Sequence, residues 1–306
     1  MTPYTNHNIY FGDSRNLSKI ADESVQLIIT SPPYWQLQEH GTESSIGYGD
    51  SYGEYINNLN LVWTECYRVL SGGCRMCVNI GYQFARSVYY GRYKVIPIRD
   101  EIIRYCEALG FDYMGSIIWQ KAPVSGGGTL VMGSYLYPRN GLITFDYEYI
   151  LIFKKLGTPP EISPEIKEGS KMTNAEWNKY FYGHWNFPGA RKDGHAANIS
   201  SFPEELPKRL IKMFSFKNET IFDPFLGSGT TSLAALKLER NSAGYELNRE
   251  YKDIIYEKIN GGITIDCDGI VNLYDDDDSL CLDKDYAESK LIYKYKENLK
   301  ICEDRI

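Results

Sequence analysis

Apolar positions along this chain recur in two rhythms, one suited to strands and one to helices. The segment Asn8-Ile9-Tyr10-Phe11 reads as a short strand ending in Gly12-Asp13, and residues 25–30 as an apolar strand stopped by Ser31-Pro32-Pro33. A short apolar run bounded by turn residues marks a strand covered on both faces. Between 55 and 70 the apolar residues Ile56, Leu59, Val62, Trp63 and Val69 fall three or four apart or in multiples of that, predicting a helix closed by Gly72-Gly73. Residues 74–80 predict the next strand, 98–109 a helix ended by Gly110, and 113–120 and 147–154 two more strands. The rhythm fails over 155–200 and returns with a helix at 207–214, a strand at 219–223, a helix at 229–238, a strand at 242–246 and a helix at 249–259. Gly261-Gly262 marks a boundary, beyond which 290–299 has the pattern of a last helix.

Strands alternating with helices predict an α/β fold, doubly wound around a mostly parallel sheet. The organisation read from the chain is 1–154, an insert at 155–200, 201–260 and an extension at 261–306. The insert has no clear period, but Trp177, Tyr180, Phe181, Tyr182, Trp185 and Phe187 are too many aromatics for disorder.

Composition narrows the class. A chain of 306 residues holds one core of about 200–250 residues plus an insertion or tail. No segment approaches the roughly 18 apolar residues of a membrane span, and Met1-Thr2-Pro3-Tyr4-Thr5-Asn6 has neither a basic nor an apolar leader pattern, so the expected location is cytoplasmic with no membrane partner. Seven cysteines, an odd number scattered in apolar stretches, do not form a disulfide framework. Cys74 and Cys77 lack the second ligand pair of a zinc site and read as a buried strand, and the four histidines have no ligand spacing, so no metal site is expected.

The net charge of −7 is unevenly spread. Residues 261–306 hold twelve acidic against six basic side chains, and 1–260 hold 28 against 27. Within the body, 154–217 carry eleven basic against seven acidic residues, enough for a local phosphate-holding face. The total charge therefore neither supports nor excludes DNA. The acidic extension reads as a solvated flank that stays away from DNA.

Two loops carry chemistry. In Asp223-Pro224-Phe225-Leu226-Gly227-Ser228-Gly229-Thr230-Thr231 a strand feeds a glycine-rich turn that opens a helix. Glycines let backbone approach a ligand and the helix start offers unpaired N–H groups. No Lys follows as in a phosphate loop, and the third glycine of a dinucleotide loop is missing. Asp223 would repel a pyrophosphate yet suits an ammonium, and Glu246, ending the next strand, suits two ribose hydroxyls. S-adenosylmethionine carries both groups; a plain strand–helix turn is the alternative reading. The second loop is Thr30-Ser31-Pro32-Pro33-Tyr34-Trp35. Its prolines stiffen the turn, and the Ser31 side chain and Pro32 carbonyl can accept the hydrogens of an amine. Tyr34 can stack on a base taken out of its helix, as chemistry on duplex DNA requires. The alternative here is an ordinary turn with a packed aromatic.

Together TSPPYW and DPFLGSGTT resemble the catalytic and cofactor motifs of the DNA amino-methyltransferases. Further likenesses are Gly12-Asp13, Arg68-Val69-Leu70-Ser71-Gly72-Gly73, Phe202-Pro203-Glu204-Glu205-Leu206 and Gly244-Tyr245-Glu246-Leu247-Asn248. The likeness spans about residues 7–259, and the motif order is that of the β group. It implies a seven-stranded sheet with one antiparallel strand near an edge, and a target-recognition region at 155–200. It implies cofactor contacts at Asp223, Phe225, Gly227, Gly229, Thr230 and Glu246, an adenine partner at Asp13 and a lid at Phe202-Pro203. Ser31, Pro32, Pro33 and Tyr34 would form the target-base pocket.

Such chemistry needs no covalent enzyme intermediate, only alignment of amine, methyl and sulfur. No proline precedes a cysteine, which removes the Pro-Cys nucleophile of C5 enzymes. Ser31 in the first catalytic position resembles the cytosine-N4 members, whereas Asp or Asn is usual in the adenine-N6 members; N4 is the preferred expectation and N6 the alternative. Arg191, Lys192 and His195, with His184, are candidate DNA contacts, and Gly126-Gly127-Gly128 with Lys121 and Arg139 suggests a loop near DNA. Double-stranded DNA is the expected partner; a cognate restriction nuclease and a homodimer stay open, as do RNA or a free amine as substrate and, for the glycine loop, a dehydrogenase.

Overall fold

The computed structural model describes residues 4–35, 45–47, 49–85, 91–92, 94–121, 139, 141, 143, 145–190, 202–264 and 267–280. Its strands are β1 (Tyr4–Phe11), β2 (Val25–Thr30), β3 (Leu70–Gly81), β4 (Gln83–Ala85), β5 (Lys94–Ile96), β6 (Phe111–Lys121), β7 (Tyr147–Lys155), β8 (His184–Phe187), β9 (Thr220–Asp223), β10 (Asn241–Glu246) and β11 (Asp268–Asp275). The helices are α1 (Tyr52–Val69), α2 (Ile98–Leu109), α3 (Pro164–Gly169), α4 (Asn174–Tyr180), α5 (Glu205–Phe214), α6 (Thr230–Lys237) and α7 (Lys252–Asn260). Among the described residues no helix is long and apolar enough to cross a membrane.

Nine strands join in one sheet, in the order β11-β1-β10-β9-β2-β3-β7-β6-β8. The seven from β1 to β6 in that order are the expected sheet, with β7 antiparallel to both neighbours. The other two, β8 and β11, extend its edges and correct the expected count. β8 is only four residues long, too short for a period to show, although its exposure alternates with Trp185 and Phe187 inward. β11 is masked by its acids: it pairs with all of β1, from Tyr4↔Asp268 to Phe11↔Asp275, and turns Val271 and Leu273 onto the core under α7.

The extension is therefore no solvated flank where it is described. The turn after β11 seats Ser279 on the Gly12-Asp13 bend, where its hydroxyl accepts the Asp13 N–H at 2.7 Å. Lys19, Arg249 and Lys252 pair with the acids of 275–278, and Tyr245 donates to Asp276 at 2.8 Å. Local cations neutralise the run, so its net charge did not keep it in water. The expected last helix at 290–299 lies outside the described residues.

The insert is not irregular over 156–190 either. Ser163 caps α3 ahead of Pro164, and Thr173 with Glu176 forms a capping box on α4. Both helices sit at the rim where β3 begins and β7 ends: Gly157 packs on Gly72, and Glu176 pairs with Lys212 near the end of α5.

Two buried clusters flank the sheet. One is built on α1 and α2 with Tyr55, Trp63, Ile102 and Tyr105, the other on α5 and α6 with Leu206, Leu210, Ala234 and Ala235. Cys74 and Cys77 are free thiols within β3, and burial pushes Cys74 up to about 11.

Candidate active site

Because β1, β10, β9, β2 and β3 are adjacent and parallel, their carboxyl ends share one rim. From β2 the chain steps through α1 to β3; from β9 it steps through α6 to β10, in the opposite direction and over the opposite face. The reversal between β2 and β9 is a topological switch point, the place where open α/β sheets form a crevice. Both loops singled out in the sequence leave the sheet there.

They are tied to one another. The Thr30 hydroxyl donates to Asp223 Oδ1 at 2.7 Å, the Thr231 hydroxyl to Oδ2 at 2.7 Å and the Phe225 N–H to Oδ1 at 3.1 Å. Asp223 is 1% exposed, so it binds the proline turn, the glycine turn and the first turn of α6 from inside rather than standing open to a ligand. Burial pushes its carboxyl up to about 6, with the two hydroxyls and the Phe225 amide opposing.

The glycine turn keeps its shape through left-handed backbone at Gly227 (φ 57°) and Gly229 (φ 82°). Glu246 braces it, accepting the Gly227 N–H on Oε2 and the Asn248 N–H on Oε1, each at 2.8 Å. Burial raises this carboxyl to about 7 against the pull of those amides, and the charge of Asp223 adds to the rise. Phe225 meets Trp63 edge-on, and Thr230 opens α6 with its hydroxyl 2.7 Å from Lys258 Nζ, which also reaches Ser228 Oγ at 2.7 Å. Lys258 is lowered to about 8 by burial.

On the other side of the tie, Ser31 and Pro33 are half-buried and Pro32 is buried. The Pro33 carbonyl accepts the Tyr55 hydroxyl at 2.9 Å. Tyr34 turns back along the rim: its hydroxyl accepts the Gly81 N–H at 2.7 Å and lies beside the Glu148 carboxylate, and burial raises it. Glu148 also accepts Asn79 Nδ2 at 2.7 Å and pairs with Lys121.

Asp13 stands at the end of β1, one strand beyond Glu246, with its carboxylate held by Arg15 Nε at 3.0 Å. Arg15 Nη1 donates to Asn58, Asn58 to Asp50, and the Asp50 carbonyl accepts Trp35 Nε1, so a bonded chain runs from Asp13 to the proline turn. Phe202 is buried in one cluster with Ile29 and Phe187, and the Pro203 carbonyl accepts the Leu206 N–H at 3.0 Å. Arg191, Lys192, His195 and Gly126-Gly127-Gly128 lie outside the described residues. His184 is exposed on β8. Thr30 and Thr231 stand at the ends of the two motifs but have no role assigned from the sequence, and Asn79, Glu148 and Lys258 have no mark there at all.

The family model described as DNA methylase, of the N6/N4 type, matches residues 25–257. The type II methyltransferase M.MjaI of Methanocaldococcus jannaschii is 37% identical over 282 residues, covering 83% of this chain and 91% of that protein. Among solved structures, TTHA0409 of Thermus thermophilus, a protein assigned to the DNA modification methylases and solved in complex with S-adenosyl-L-methionine, superposes with a TM-score of 0.71 at 30% identity, covering 88% of this chain and 98% of that one. The cytosine-N4-specific PvuII DNA methyltransferase, at 18% identity and a TM-score of 0.60, shares the fold over 89% of this chain and 97% of its own.

Proposed function

Since this chain belongs to the N6/N4 DNA methylase family, we propose that it transfers a methyl group from S-adenosylmethionine to the N4 amine of a cytosine turned out of duplex DNA. It is a DNA methyltransferase, and S-adenosylmethionine is its methyl donor. The observation that carries the reading is the 2.7 Å bond from Thr30 to Asp223, which sets the two turns side by side at the switch point. Asp13, Glu246, Asp223 and Ser31 follow one another on four neighbouring strands, so the outer pair are separated by three strand spacings, about 14 Å. An extended nucleoside with an amino-acid tail fits that span.

The residues present suit the donor. Glu246 offers a carboxylate to ribose hydroxyls, the left-handed glycines open room against the turn, and the start of α6 presents N–H groups to a carboxylate. Asp13 would hold the adenine amine, and Phe225, Thr230, Phe202 and Pro203 would line the rest. The donor supplies a methyl group on a sulfonium that leaves readily. The chain has to align the amine with it and keep water out. Ser31 Oγ and the Pro32 carbonyl would accept the two amine hydrogens, leaving the nitrogen lone pair aimed at the methyl. Pro33, held at its carbonyl by Tyr55, stiffens the turn, and the Tyr34 ring would carry the everted base. Ser31, where Asp or Asn would suit the less acidic adenine amine, favours cytosine.

The 156–176 part of the insert packs at the rim opposite these residues, about 30 Å away by the nine residues of β7, and the chain then returns to β6 at Gly183, whose carbonyl accepts the Ile118 N–H. DNA contact is accordingly proposed for the part beyond Phe187, with Arg191, Lys192 and His195. Likeness to type II enzymes favours a restriction–modification setting with a cognate nuclease.

Expression in a methylation-free host, followed by modification-sensitive sequencing of its DNA, tests the reading. N4-methylcytosine at one short sequence is the expected product; N6-methyladenine would reassign the base, and unmodified DNA would remove the activity. Tyr34→Ala and Pro33→Ala should abolish methylation while the donor still binds.

A further inference from the structure

Glu148 belongs to neither motif, yet it ends at the same hydroxyl as Tyr34. Three strand ends converge there: β3 brings Asn79 and Gly81, β7 brings Glu148 opposite Gly81, and β6 brings Lys121. The Glu148 side chain is 15% exposed. Its Oε2 accepts Asn79 Nδ2 at 2.7 Å, its Oε1 pairs with Lys121 Nζ, and the Tyr34 hydroxyl lies beside it. The Gly81 N–H donates to that same hydroxyl at 2.7 Å. The space is closely filled: a methyl on Gly81 would lie 2.9 Å from Tyr34 Oη and 3.0 Å from Glu148 Cγ.

A tyrosine on a turn is fixed only at its Cα and swings about two side-chain torsions. Here the far end of the ring is held as well, by an amide donor, beside a carboxylate that is itself held by a cation and an amide. A platform ordered in advance does not lose that freedom when a base lands on it. We propose that Glu148, steadied by Lys121 and Asn79, is a positioning residue that sets the tilt of the Tyr34 ring against the target base. The inference rests on the reading of Tyr34 as the surface that receives that base.

The test is a double-mutant cycle in the full-length protein, with rates measured on a duplex carrying the site found by sequencing and eversion read on a second duplex with 2-aminopurine in place of the target base. Tyr34→Phe and Glu148→Ala should each lower kcat/KM for DNA roughly ten-fold, the effect of one lost hydrogen bond, and reduce 2-aminopurine fluorescence in the complex. Affinity for S-adenosylmethionine should stay unchanged. Glu148→Gln, which keeps an oxygen beside the tyrosine, should keep most of the activity. In the Tyr34→Phe background Glu148→Ala should cost little more. An undiminished cost in that background, or full activity of Glu148→Ala alone, overturns the proposal. Should Glu148→Ala fail to fold, Lys121→Met serves in the same cycle, with a loss confined to the Tyr34 background supporting the clamp and an equal loss in both defeating it. Tyr34→Ala separates this inference from the reading beneath it: full methylation by that variant removes the platform itself, whereas loss of methylation leaves Glu148 to be judged by the cycle.

Discussion

Replacing Thr30 by Val keeps the side-chain shape and removes one donor from a buried carboxylate. Asp223 titrates at about 6 against an ordinary 3.8, so its ionised form already costs the fold about 3 kcal/mol above pH 6. The sign follows from proton counting. Between 3.8 and 6 the folded protein binds the extra proton, so this group's contribution to stability declines as pH rises through that window and is level above it. Thr30→Val withdraws a bond that favours the ionised form, which moves the carboxyl above 6 and deepens the cost at neutral pH by about 1–3 kcal/mol. Urea unfolding of wild type and variant at about pH 7.5 and about pH 5 should show that loss at the higher pH and a smaller gap at the lower, where the carboxyl is mostly neutral in both. Methyl transfer should fall about ten- to hundred-fold, since the proline turn loses its anchor on the glycine turn. A gap that does not narrow with acid, or unchanged stability at neutral pH, would show that Thr30 and Asp223 do not tie the turns.

Glu246 titrates at about 7 in the free protein, and ribose hydroxyls can donate fully only to its ionised form. Calorimetry should show S-adenosylmethionine affinity falling as pH drops below about 7, a dependence absent in Glu246→Gln; a wild-type affinity that ignores pH would refute the assignment. Burial lowers Lys258 to about 8, so its ammonium costs stability below that pH and the cost fades as pH climbs from 8 towards 10.5. Lys258→Met should therefore flatten the rise in thermal stability across that window. Gly12→Ala would place a methyl 2.2 Å from Ser279 Oγ and 2.8 Å from the Asp276 carbonyl. Hydrogen exchange should then show β11 losing protection, with a stability loss of about 1–3 kcal/mol, and unchanged exchange would mean that the turn after β11 does not depend on that bend.

The sheet and its two motifs were legible because buried parallel strands and glycine or proline turns leave local marks. Residues 25–30, 147–154 and 242–246 are apolar or small runs with sharp stops, and each lies within a strand of the sheet. What stayed hidden depends on distant partners. β11 and the turn after it read as acidic and solvated until Arg249 and Lys252 stand beside Asp275 and Lys19 beside Asp278. α3 and α4 have too few turns for a period, although Ser163-Pro164 and Thr173 with Glu176 are start signals that could have been read. In the site, the turn residues were visible as types, but their neighbours were not. Asn79, Glu148 and Lys121 are ordinary strand residues whose meeting is set by register, and the tie from Thr30 to Asp223 spans 193 positions.

The placement of β1 has a consequence for synthesis. Both of its neighbours come late in the chain: His7 bonds Ser242, 235 positions on, and Thr5 bonds Asp268, 263 positions on. At 5–20 residues per second, this strand leaves the ribosome on the order of tens of seconds before anything exists for it to pair with. Ile9 and Phe11, which end up fully covered, must wait that long in a nascent chain, preceded by Thr5, Asn6, His7 and Asn8, which suit water. The rim that holds Asp13 is thus completed only once residues 242–275 have been made, and no earlier fragment can carry the finished crevice.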